Sequence, residues 1–463
     1  MSCSLSLWCG SRWRRKPAKA AEQAPPSPKS LSSTKSPSSS RSPSSGGDTS
    51  ILELATANLP PQNTHSQFWW TAAGRTLALM LHYAGYCPVA QYQHLLYFAN
   101  SIAPFLGPAR KDEKESVQWL SFMTDDGTPI ELSWDWGNKR KSPAIRFSIE
   151  PVGLDAGTQL DLYNREVGGK FHCTLKETLP NADYEWCDHF IKRFCADEDL
   201  EKISAKRKTA TQIFYAFDLN GNDIIPKVYF FPGIRAETLG QTTLESISEA
   251  VRSAPHCAPD NLEAFSVLEK FFTDSSAGPL ELEMLAADLI RPVDSRLKIY
   301  FRSRNTRFSS VANIMSLNNA IASESFAKGL QNLRKLWDLV FDRKESDDEP
   351  LENTLHRTAG ILYYAQFRLG DELPSIKIYL PVRHYAACDG KVVRGLKEFL
   401  VESRADDHVM NYEAFLESAF SRSALEEDRG VHTYLGCSIN SDGSLKLISY
   451  INPQPWKLNT FQQ

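Results

Sequence analysis

Apolar residues recur at helical spacing where the chain first takes on a globular composition. In FWWTAAGRTLALMLHYAGY, Leu77, Met80, Leu81 and Ala84 follow one face of a helix. Gly85 is predicted to end this helix, and a proline opens a second one in PVAQYQHLLYFANSI. The same spacing predicts helices in YEWCDHFIKRFC, LEAFSVLEKFF and FAKGLQNLRKLWDLVF.

Between these helices, apolar and polar residues alternate with the period of two that is typical of β-strands. Single strands are predicted in PIELSWDWG, AIRFSIEP, RLKIYFRS and SIKIYLPV. Two hairpins are predicted in QIFYAFDLNGNDIIPKVYFFP, with its Asn-Gly turn, and in YLGCSINSDGSLKLISYINP, with a turn at residues 441–443. Mixed helices and strands of this kind predict the α+β class.

A lysine stands two positions before a tyrosine on three of the predicted strands. The pairs are Lys227 with Tyr229, Lys298 with Tyr300, and Lys377 with Tyr379. The three lysines are separated by 71 and 79 residues, and similar steps lead forward to Lys446 and back to Arg146. A period of this length indicates repeated units, each with two strands and two helices. Such units can close into an antiparallel barrel surrounded by helices, which leaves no exposed sheet edge.

The N-terminal region has a different composition. Residues 1–50 are rich in Ser and Pro and lack apolar periodicity, so they are predicted to form a disordered extension. Residues 51–463 contain no Gly/Ser linker. They are predicted to form a single barrel domain.

Composition restricts the possible function classes. The net charge of −4 argues against a general nucleic-acid binder. No apolar run reaches the length of a membrane helix, so no membrane partner is expected. The nine cysteines form no CxxC pair, which favours a reduced, cytoplasmic protein.

Basic side chains are the first candidate functional group. Alternate residues of a strand share one face, so a closed barrel would direct these side chains into its interior. The predicted cluster consists of Arg146, Lys227, Arg296, Lys298 and Lys377, with Lys446 beside them. The inner positions supply few visible carboxylates, and unpaired cations are costly to bury. A diphosphate would satisfy them; the alternative is a set of ordinary solvent-facing lysines.

Four tyrosines lie along the same faces as the basic residues. They are Tyr229, Tyr300, Tyr379 and Tyr450. An aromatic ring stabilises a nearby cation by about 0.5 to 2 kcal/mol. This lining suits an allylic diphosphate, whose carbon becomes positive as the diphosphate leaves. The rings are predicted to shield that carbon from water.

Glu131 is the candidate acid, within MTDDGTPIELSWDWG. Its apolar neighbours indicate partial burial, which raises the pKa of a carboxyl group and suits it to accept a proton from an arene or an indole N–H. The alternative is an acid at a strand edge that forms an ion pair. Asp125 and Asp126 are predicted to be turn residues, because no Asp-Asp-x-x-Asp pattern occurs on a helix. No metal is therefore expected.

These segments together resemble the fungal indole prenyltransferases of the dimethylallyltryptophan synthase type, over nearly all of residues 60–456. The motifs that carry the resemblance occur in order: WWTAAGRTLALMLHYAGY, MTDDGTPIELSWDWG, IRFSIEP, RLKIYFRS, KIYLPVRHY and ISYINP. The family implies the ABBA barrel, in which ten antiparallel strands surround a central chamber and helices form an outer ring. It also implies metal-independent transfer of a dimethylallyl group from dimethylallyl diphosphate to an aromatic acceptor, without a cofactor, in fungal secondary metabolism.

The resemblance also implies residue roles. Glu131 matches the acid that holds the indole N–H, and Met123 and Thr124 match acceptor contacts. The diphosphate binders it implies are Arg146, Lys227, Arg296 and Lys298, and the tyrosine shield is Tyr229, Tyr300, Tyr379 and Tyr450.

Three positions depart from the family pattern. Lys377 replaces a glutamine, Lys446 replaces a tyrosine, and Phe214 replaces a lysine that removes a proton during attack on tryptophan. Free tryptophan is therefore disfavoured. The expected acceptor is an indole-containing alkaloid, with an indole diterpene as one form. The alternatives are a hydroxylated polycyclic polyketide, a tryptophan-containing cyclic dipeptide, or a non-catalytic barrel that binds an aromatic metabolite. Either a monomer or a homodimer is compatible with the sequence.

Overall fold

Ten strands close into one antiparallel barrel in the computed structural model, which describes residues 49–112, 118–137, 142–195, 211–274, 278–344 and 347–458. The strands are β1 (Ile130–Asp135), β2 (Ala144–Ile149), β3 (Ile213–Asn220), β4 (Asp223–Phe230), β5 (Leu280–Asp288), β6 (Leu297–Ser303), β7 (Ile361–Phe367), β8 (Ser375–Leu380), β9 (His432–Ile439) and β10 (Leu445–Ile451). Each strand pairs with its neighbours in sequence, and β10 pairs with β1 to close the ring. The predicted fold class and ABBA architecture are confirmed.

Both predicted hairpins are present. β3 and β4 turn at Gly221, whose φ of 58° is left-handed and favours glycine. β9 and β10 turn at Gly443, with φ 79°, inside the predicted segment. Two strands, β5 and β7, were not predicted, because LELEMLAAD and ILYYAQF lack a basic residue two positions before a tyrosine.

Helices surround the barrel, and at least two lie in each interval between the strand pairs. Their bounds are Thr49–Ala57, Thr64–Trp69, Arg75–Tyr83, Pro88–Tyr97, Arg165–Thr178, Glu185–Phe194, Gly233–Leu239, Thr243–Arg252, Glu263–Thr273, Phe308–Met315, Glu324–Phe341, Val382–Tyr385, Asp389–Glu402, Val409–Ala419 and Arg422–Glu426. Two π-helical segments, Trp70–Gly74 and Phe98–Ile102, continue the early helices. The predicted helix end at Gly85 and the proline start at Pro88 are confirmed.

The main hydrophobic core lies between the outer face of the barrel and the helices. On β1, for example, Ile130, Leu132 and Trp134 are fully buried and face outward. The alternate residues of the same strand face the chamber. The period of two therefore separates a packing face from a functional face along every strand.

Three further observations concern the described residues. None of their helices combines the length and apolar character needed to cross a bilayer. Their seven cysteines are free thiols. The predicted disordered extension lies outside them, except for residues 49 and 50, which begin the first helix.

Candidate active site

Tyrosine rings divide the chamber into two compartments. Tyr229, Tyr300, Tyr379 and Tyr450 line both compartments. Consecutive rings in this series have centroids 5.7, 6.0 and 5.3 Å apart, and the hydroxyls of Tyr300 and Tyr379 are 3.3 Å apart. The structure thus brings together all four predicted shield residues as one partition.

Basic side chains line the first compartment, which has a cavity volume of about 240 Å³. All five predicted diphosphate binders lie there, together with Lys446: Arg146, Lys227, Arg296, Lys298 and Lys377. They come from β2, β4, the residue before β6, β6 itself and β8. The barrel register aligns them because each lies on an inward-facing position.

Three aspartates form ion pairs with five of these six cations, so the expectation of few inner carboxylates is wrong. Asp218 on β3 lies opposite Arg146 in the ladder, and its carboxylate is 2.6 Å from the Lys227 Nζ. Asp288 on β5 lies opposite Lys227 and forms ion pairs of 2.5 and 2.7 Å with Lys298 and Arg296.

The third aspartate is Asp135 on β1. It forms ion pairs with Arg146 and, at 3.2 Å, with Lys446. Burial disfavours its charged form, but the two cations outweigh burial and lower the pKa of Asp135. Burial likewise opposes ionisation of Asp288, and its cationic neighbours again hold the pKa of that carboxyl below its ordinary value. The aspartates are therefore charged partners of the basic cluster.

Glu131 lies on the other side of the tyrosine partition. Its carboxylate lines the second compartment and accepts a hydrogen bond of 2.6 Å from the Thr433 hydroxyl on β9. Burial raises the pKa of Glu131 to about 8, and the hydrogen bond from Thr433 offsets burial only in part. A carboxyl group with this pKa can exchange a proton with an acceptor near neutral pH.

The second compartment has a cavity volume of about 110 Å³. The predicted acceptor contacts Met123 and Thr124 line it. Phe214, which replaces the family lysine, also lines it and packs edge-on against Phe231 with ring centroids 4.7 Å apart. The wall of the second compartment that lies beside the tyrosines is therefore apolar.

The opposite wall of this compartment is charged, which the sequence did not predict. Arg302 is 1% exposed and holds both carboxylate oxygens of Glu283, at 2.6 and 3.1 Å. Asp125 forms an ion pair with Arg383 Nε at 2.8 Å and accepts a hydrogen bond from the Thr358 hydroxyl at 2.7 Å. Asp125 and Asp126 were predicted to be turn residues, and both lie in a turn that the Gly127 amide closes onto the Thr124 carbonyl. Asp126 accepts from the Thr128 amide and from Asn452.

Asp125, His356 and His384 form the one cluster in the described residues with suitable spacing to hold a metal ion. Both oxygens of Asp125 already contact Thr358 or Arg383. Burial lowers the pKa of His384 to about 4, so its ring is neutral near pH 7. A cation at this cluster would have to compete with the Arg383 guanidinium.

A single buried carboxylate anchors the segment that carries Met123 and Thr124. Glu150, 2% exposed, accepts hydrogen bonds from the Trp119 indole at 3.1 Å, the Ser121 hydroxyl at 2.5 Å and the Phe122 amide at 3.3 Å. Arg357 stacks over the Phe122 ring at 4.5 Å and donates to the Ser121 carbonyl. These contacts fix one wall of the acceptor compartment.

Several residues of the site were not predicted from the sequence. Tyr364 and Asp288 lie on β7 and β5, the two strands that were not predicted. Asp218 lies on a predicted strand, and its alternation with Ala216 and Phe214 would have placed it on the inner face. Thr433 is a common residue type, and only the pairing of β1 with β10 and of β10 with β9 brings it near Glu131.

Comparison with known proteins identifies the family. The sequence model of the tryptophan dimethylallyltransferase family matches residues 65–415. The chain belongs to this family. Its family relatives are aromatic prenyltransferases, and the chain is accordingly a prenyltransferase.

Curated relatives act on different acceptors according to their names. The chain is 32% identical over 396 residues to 4-O-dimethylallyl-L-tyrosine synthase of Claviceps purpurea, and the alignment covers 84% of this chain and 88% of the relative. It is 31% identical over 413 residues to 7-dimethylallyltryptophan synthase of Aspergillus fumigatus, covering 86% and 87%. Xanthone prenyltransferase B of Emericella nidulans is 29% identical over 431 residues, covering 88% and 92%.

Solved structures show the same fold. AnaPT from Neosartorya fischeri superposes with a TM-score of 0.75 at 22% identity, covering 87% of this chain and 97% of that chain. NotF in complex with brevianamide F and DMSPP gives a TM-score of 0.73 at 22% identity, covering 88% and 98%.

Proposed function

We propose that this prenyltransferase moves a dimethylallyl group from dimethylallyl diphosphate to an indole-containing acceptor without a metal ion. The observation that carries the proposal is the tyrosine partition, with the cations on one side and Glu131 on the other. A substrate that spans the partition would place its diphosphate among the cations and its allyl carbon between the rings.

The reaction follows from this arrangement. The bond between the allyl carbon and the diphosphate oxygen breaks, and the cations stabilise the leaving diphosphate. The tyrosine faces stabilise the positive allyl fragment and exclude water. Glu131 accepts a hydrogen bond from the acceptor N–H, which raises the electron density of the ring. The acceptor then forms a bond to the allyl carbon, and the released diphosphate takes up the proton that the acceptor loses.

The charged wall supports a small acceptor with polar substituents more than an indole diterpene. Glu283 with Arg302, and Asp125 with Arg383, are ion pairs that offer both signs of charge to an acceptor. Burying a large hydrocarbon against these pairs would remove them from water without giving them any further polar partner. A tryptophan derivative or a tryptophan-containing cyclic dipeptide complements them better.

A phenolic acceptor is the second candidate. A phenol O–H can donate to Glu131 as an indole N–H does, and the relative from Claviceps purpurea is named a tyrosine O-dimethylallyl synthase. Phe214 favours this candidate, since no lysine stands there to remove a proton from an indole carbon.

An acceptor panel tests the proposal. Purified protein is incubated with dimethylallyl diphosphate and EDTA and with one acceptor at a time: L-tryptophan, a tryptophan-containing cyclic dipeptide, an indole diterpene, L-tyrosine or a hydroxylated xanthone. We expect mass spectrometry to find a product that is heavier by one dimethylallyl group, with the largest yield from a small indole. Largest yield from L-tyrosine or the xanthone would select the phenolic candidate. Absence of diphosphate release with every acceptor would support a non-catalytic binder, and activity only without EDTA would contradict metal independence.

A further inference from the structure

Lys377 differs from every other cation of the diphosphate compartment. Its side chain on β8 is 4% exposed, and its Nζ donates a hydrogen bond of 3.0 Å to the Tyr450 hydroxyl. No carboxylate in the described ranges forms an ion pair with it, whereas Arg146, Lys227 and Lys298 each have an aspartate partner.

Aromatic rings surround the Lys377 amine. The Nζ lies 4.6, 5.2 and 5.7 Å from the ring centroids of Tyr379, Tyr450 and Tyr364. The amine therefore lies against the partition, at the boundary where the diphosphate would meet the allyl group.

A glycine provides the space for this amine. Gly436 on β9 lies directly opposite Tyr379 in the ladder. A Cβ at this position would lie 2.7 Å from Lys377 Cε and 2.8 Å from its Nζ. The absence of a side chain at Gly436 therefore leaves room for the end of the Lys377 side chain.

Energies favour an uncharged amine in the empty chamber. Tyrosine faces stabilise an ammonium by about 0.5 to 2 kcal/mol each. Removing an ammonium from water without a charged partner costs several kcal/mol even after relaxation. Other groups near Lys377 add little net attraction, because Asp135 is already paired with Arg146 and Lys446 and both of these cations repel an ammonium.

We propose that Lys377 is a neutral amine in the empty enzyme and takes up one proton when dimethylallyl diphosphate binds. The inference rests on the proposed function, since it assumes that the diphosphate enters this compartment. The proton comes from the buffer, and the resulting ammonium pairs with the diphosphate. Burial, with repulsion from Arg146, lowers the pKa of Lys377, in agreement with this sequence of events.

The charged and titratable groups that face Lys377 come from several strands. They are Asp135 on β1, Arg146 on β2, Tyr364 on β7, Tyr379 on β8 itself, Cys437 on β9, and Lys446 and Tyr450 on β10. Burial raises the pKa of the tyrosines and of Cys437, so they remain neutral near pH 8. Lys377 is therefore the group in this set that gains charge on binding.

Calorimetry counts the proton. The probe is dimethylallyl S-thiolodiphosphate, which does not react and is fully ionised at about pH 8. Its binding enthalpy is measured in HEPES and in Tris, and the difference between the two buffers gives the number of protons taken up. Burial also lowers the pKa of Lys298 to about 7, so this amine contributes the same uptake to the wild type and to each variant. Lys377→Arg introduces a charge that does not titrate, so we expect the wild-type protein to take up about one proton more than this variant.

Lys170→Gln is the control, because the Lys170 side chain is 67% exposed on an outer helix and lines neither compartment. We expect it to take up as many protons as the wild type. If Lys377→Arg does not fold, Lys377→Gln replaces it with the same expected difference of about one proton. An uptake of zero in the wild type, or an equal uptake in the wild type and the Lys377 variants, would overturn the proposal. Absence of any binding would instead contradict the proposed function.

Discussion

At the scale of single residues, Glu131 and the three aspartates show how burial and charge assign different roles to carboxylates in one chamber. Glu131 lies inside the barrel beside one hydrogen-bond donor, and burial raises its pKa to about 8. Asp288 is surrounded by Lys298, Arg296 and Lys227, and its pKa is lowered. The first can exchange a proton near neutral pH, and the second remains an anion.

Glu131→Gln should lower turnover by about 100-fold or more, because the amide cannot accept a proton and polarises the acceptor N–H less than a carboxylate does. Binding of the thiolodiphosphate should stay within about twofold of the wild type, since the partition separates Glu131 from the cations. Steady-state turnover and calorimetry measure the two effects. Glu166→Gln, on an exposed helix surface, is the control. Full turnover in Glu131→Gln would remove this residue from the mechanism.

The same variant should change how stability depends on pH. Glu131 holds its proton in the folded state up to about pH 8, whereas its ordinary pKa is 4.5. The folded protein therefore binds more protons than the unfolded chain in this window, and the free energy of unfolding falls as pH rises. Gln at this position removes that contribution. Denaturation at about pH 5.5 and 8.5 should show the variant gaining stability relative to the wild type at the higher pH; an equal difference at both would contradict the raised pKa.

Asp288→Asn should destabilise the empty enzyme, because Lys298 and Arg296 lose their buried partner. The expected loss is on the order of 3 kcal/mol. A diphosphate would replace the missing charge, so the thiolodiphosphate should raise the melting temperature of this variant more than that of the wild type. Thermal unfolding with and without the probe measures both. A smaller ligand-induced rise in the variant would mean that the diphosphate binds elsewhere.

Residue patterns predicted the cations of the buried ion pairs but not their aspartate partners. Lysines two positions before tyrosines were visible because they repeat, whereas Asp218 and Asp288 occur in different local contexts. Charge pairing across a barrel depends on which strands are neighbours, and this is a property of the closed sheet. The departure at Lys377 was visible, but its lack of a carboxylate partner among the described residues was not.

At the scale of elements, the segment that carries Met123 and Thr124 depends on a carboxylate just beyond β2. Glu150 accepts three hydrogen bonds from Trp119, Ser121 and Phe122. Burial raises the pKa of Glu150 to about 7, although these donors oppose the rise. The anchor is therefore a buried network in which each partner matters.

Glu150→Gln should loosen this segment, since an amide N–H₂ replaces one of the two accepting oxygens and faces other donors. We expect the KM for the acceptor to rise about tenfold while thiolodiphosphate binding is unchanged. Kinetics with varied acceptor, together with calorimetry, separate these effects, and Glu166→Gln again serves as a control. A change confined to diphosphate affinity would show that Glu150 does not position the acceptor wall.

Element predictions succeeded where periodicity was strong. The helix Glu324–Phe341 and the hairpin of β3 and β4 have clear periods and ends. β5 was not predicted because the alternation of Leu and Glu in its first residues does not continue into its end, MLAAD, which is nearly all apolar. Its register with β6 shifts at a bulge next to Glu283, which places that carboxylate in the acceptor compartment. A bulge of this kind has no sequence signal strong enough to predict it.

At the scale of the whole molecule, the closed barrel gives two compartments that share one tyrosine wall. Closure followed from the repeat period and the family resemblance, and the order of all ten strands agrees with it. The division of the chamber did not follow from the period, because it requires the ring of tyrosines to lie at one level. Contacts between successive rings place them at one level: the centroids from Tyr229 through Tyr300 and Tyr379 to Tyr450 are 5.7, 6.0 and 5.3 Å apart.

The most direct test of this account is a crystal structure of the protein with dimethylallyl S-thiolodiphosphate bound. The diphosphate should contact the basic side chains of the first compartment, and the dimethylallyl group should lie between the tyrosine rings and point toward Glu131. The residues predicted to contact the diphosphate are Arg146, Lys227, Arg296, Lys298 and Lys377. A diphosphate bound beside Glu131, or outside the barrel, would contradict the division of the chamber on which the proposed function rests.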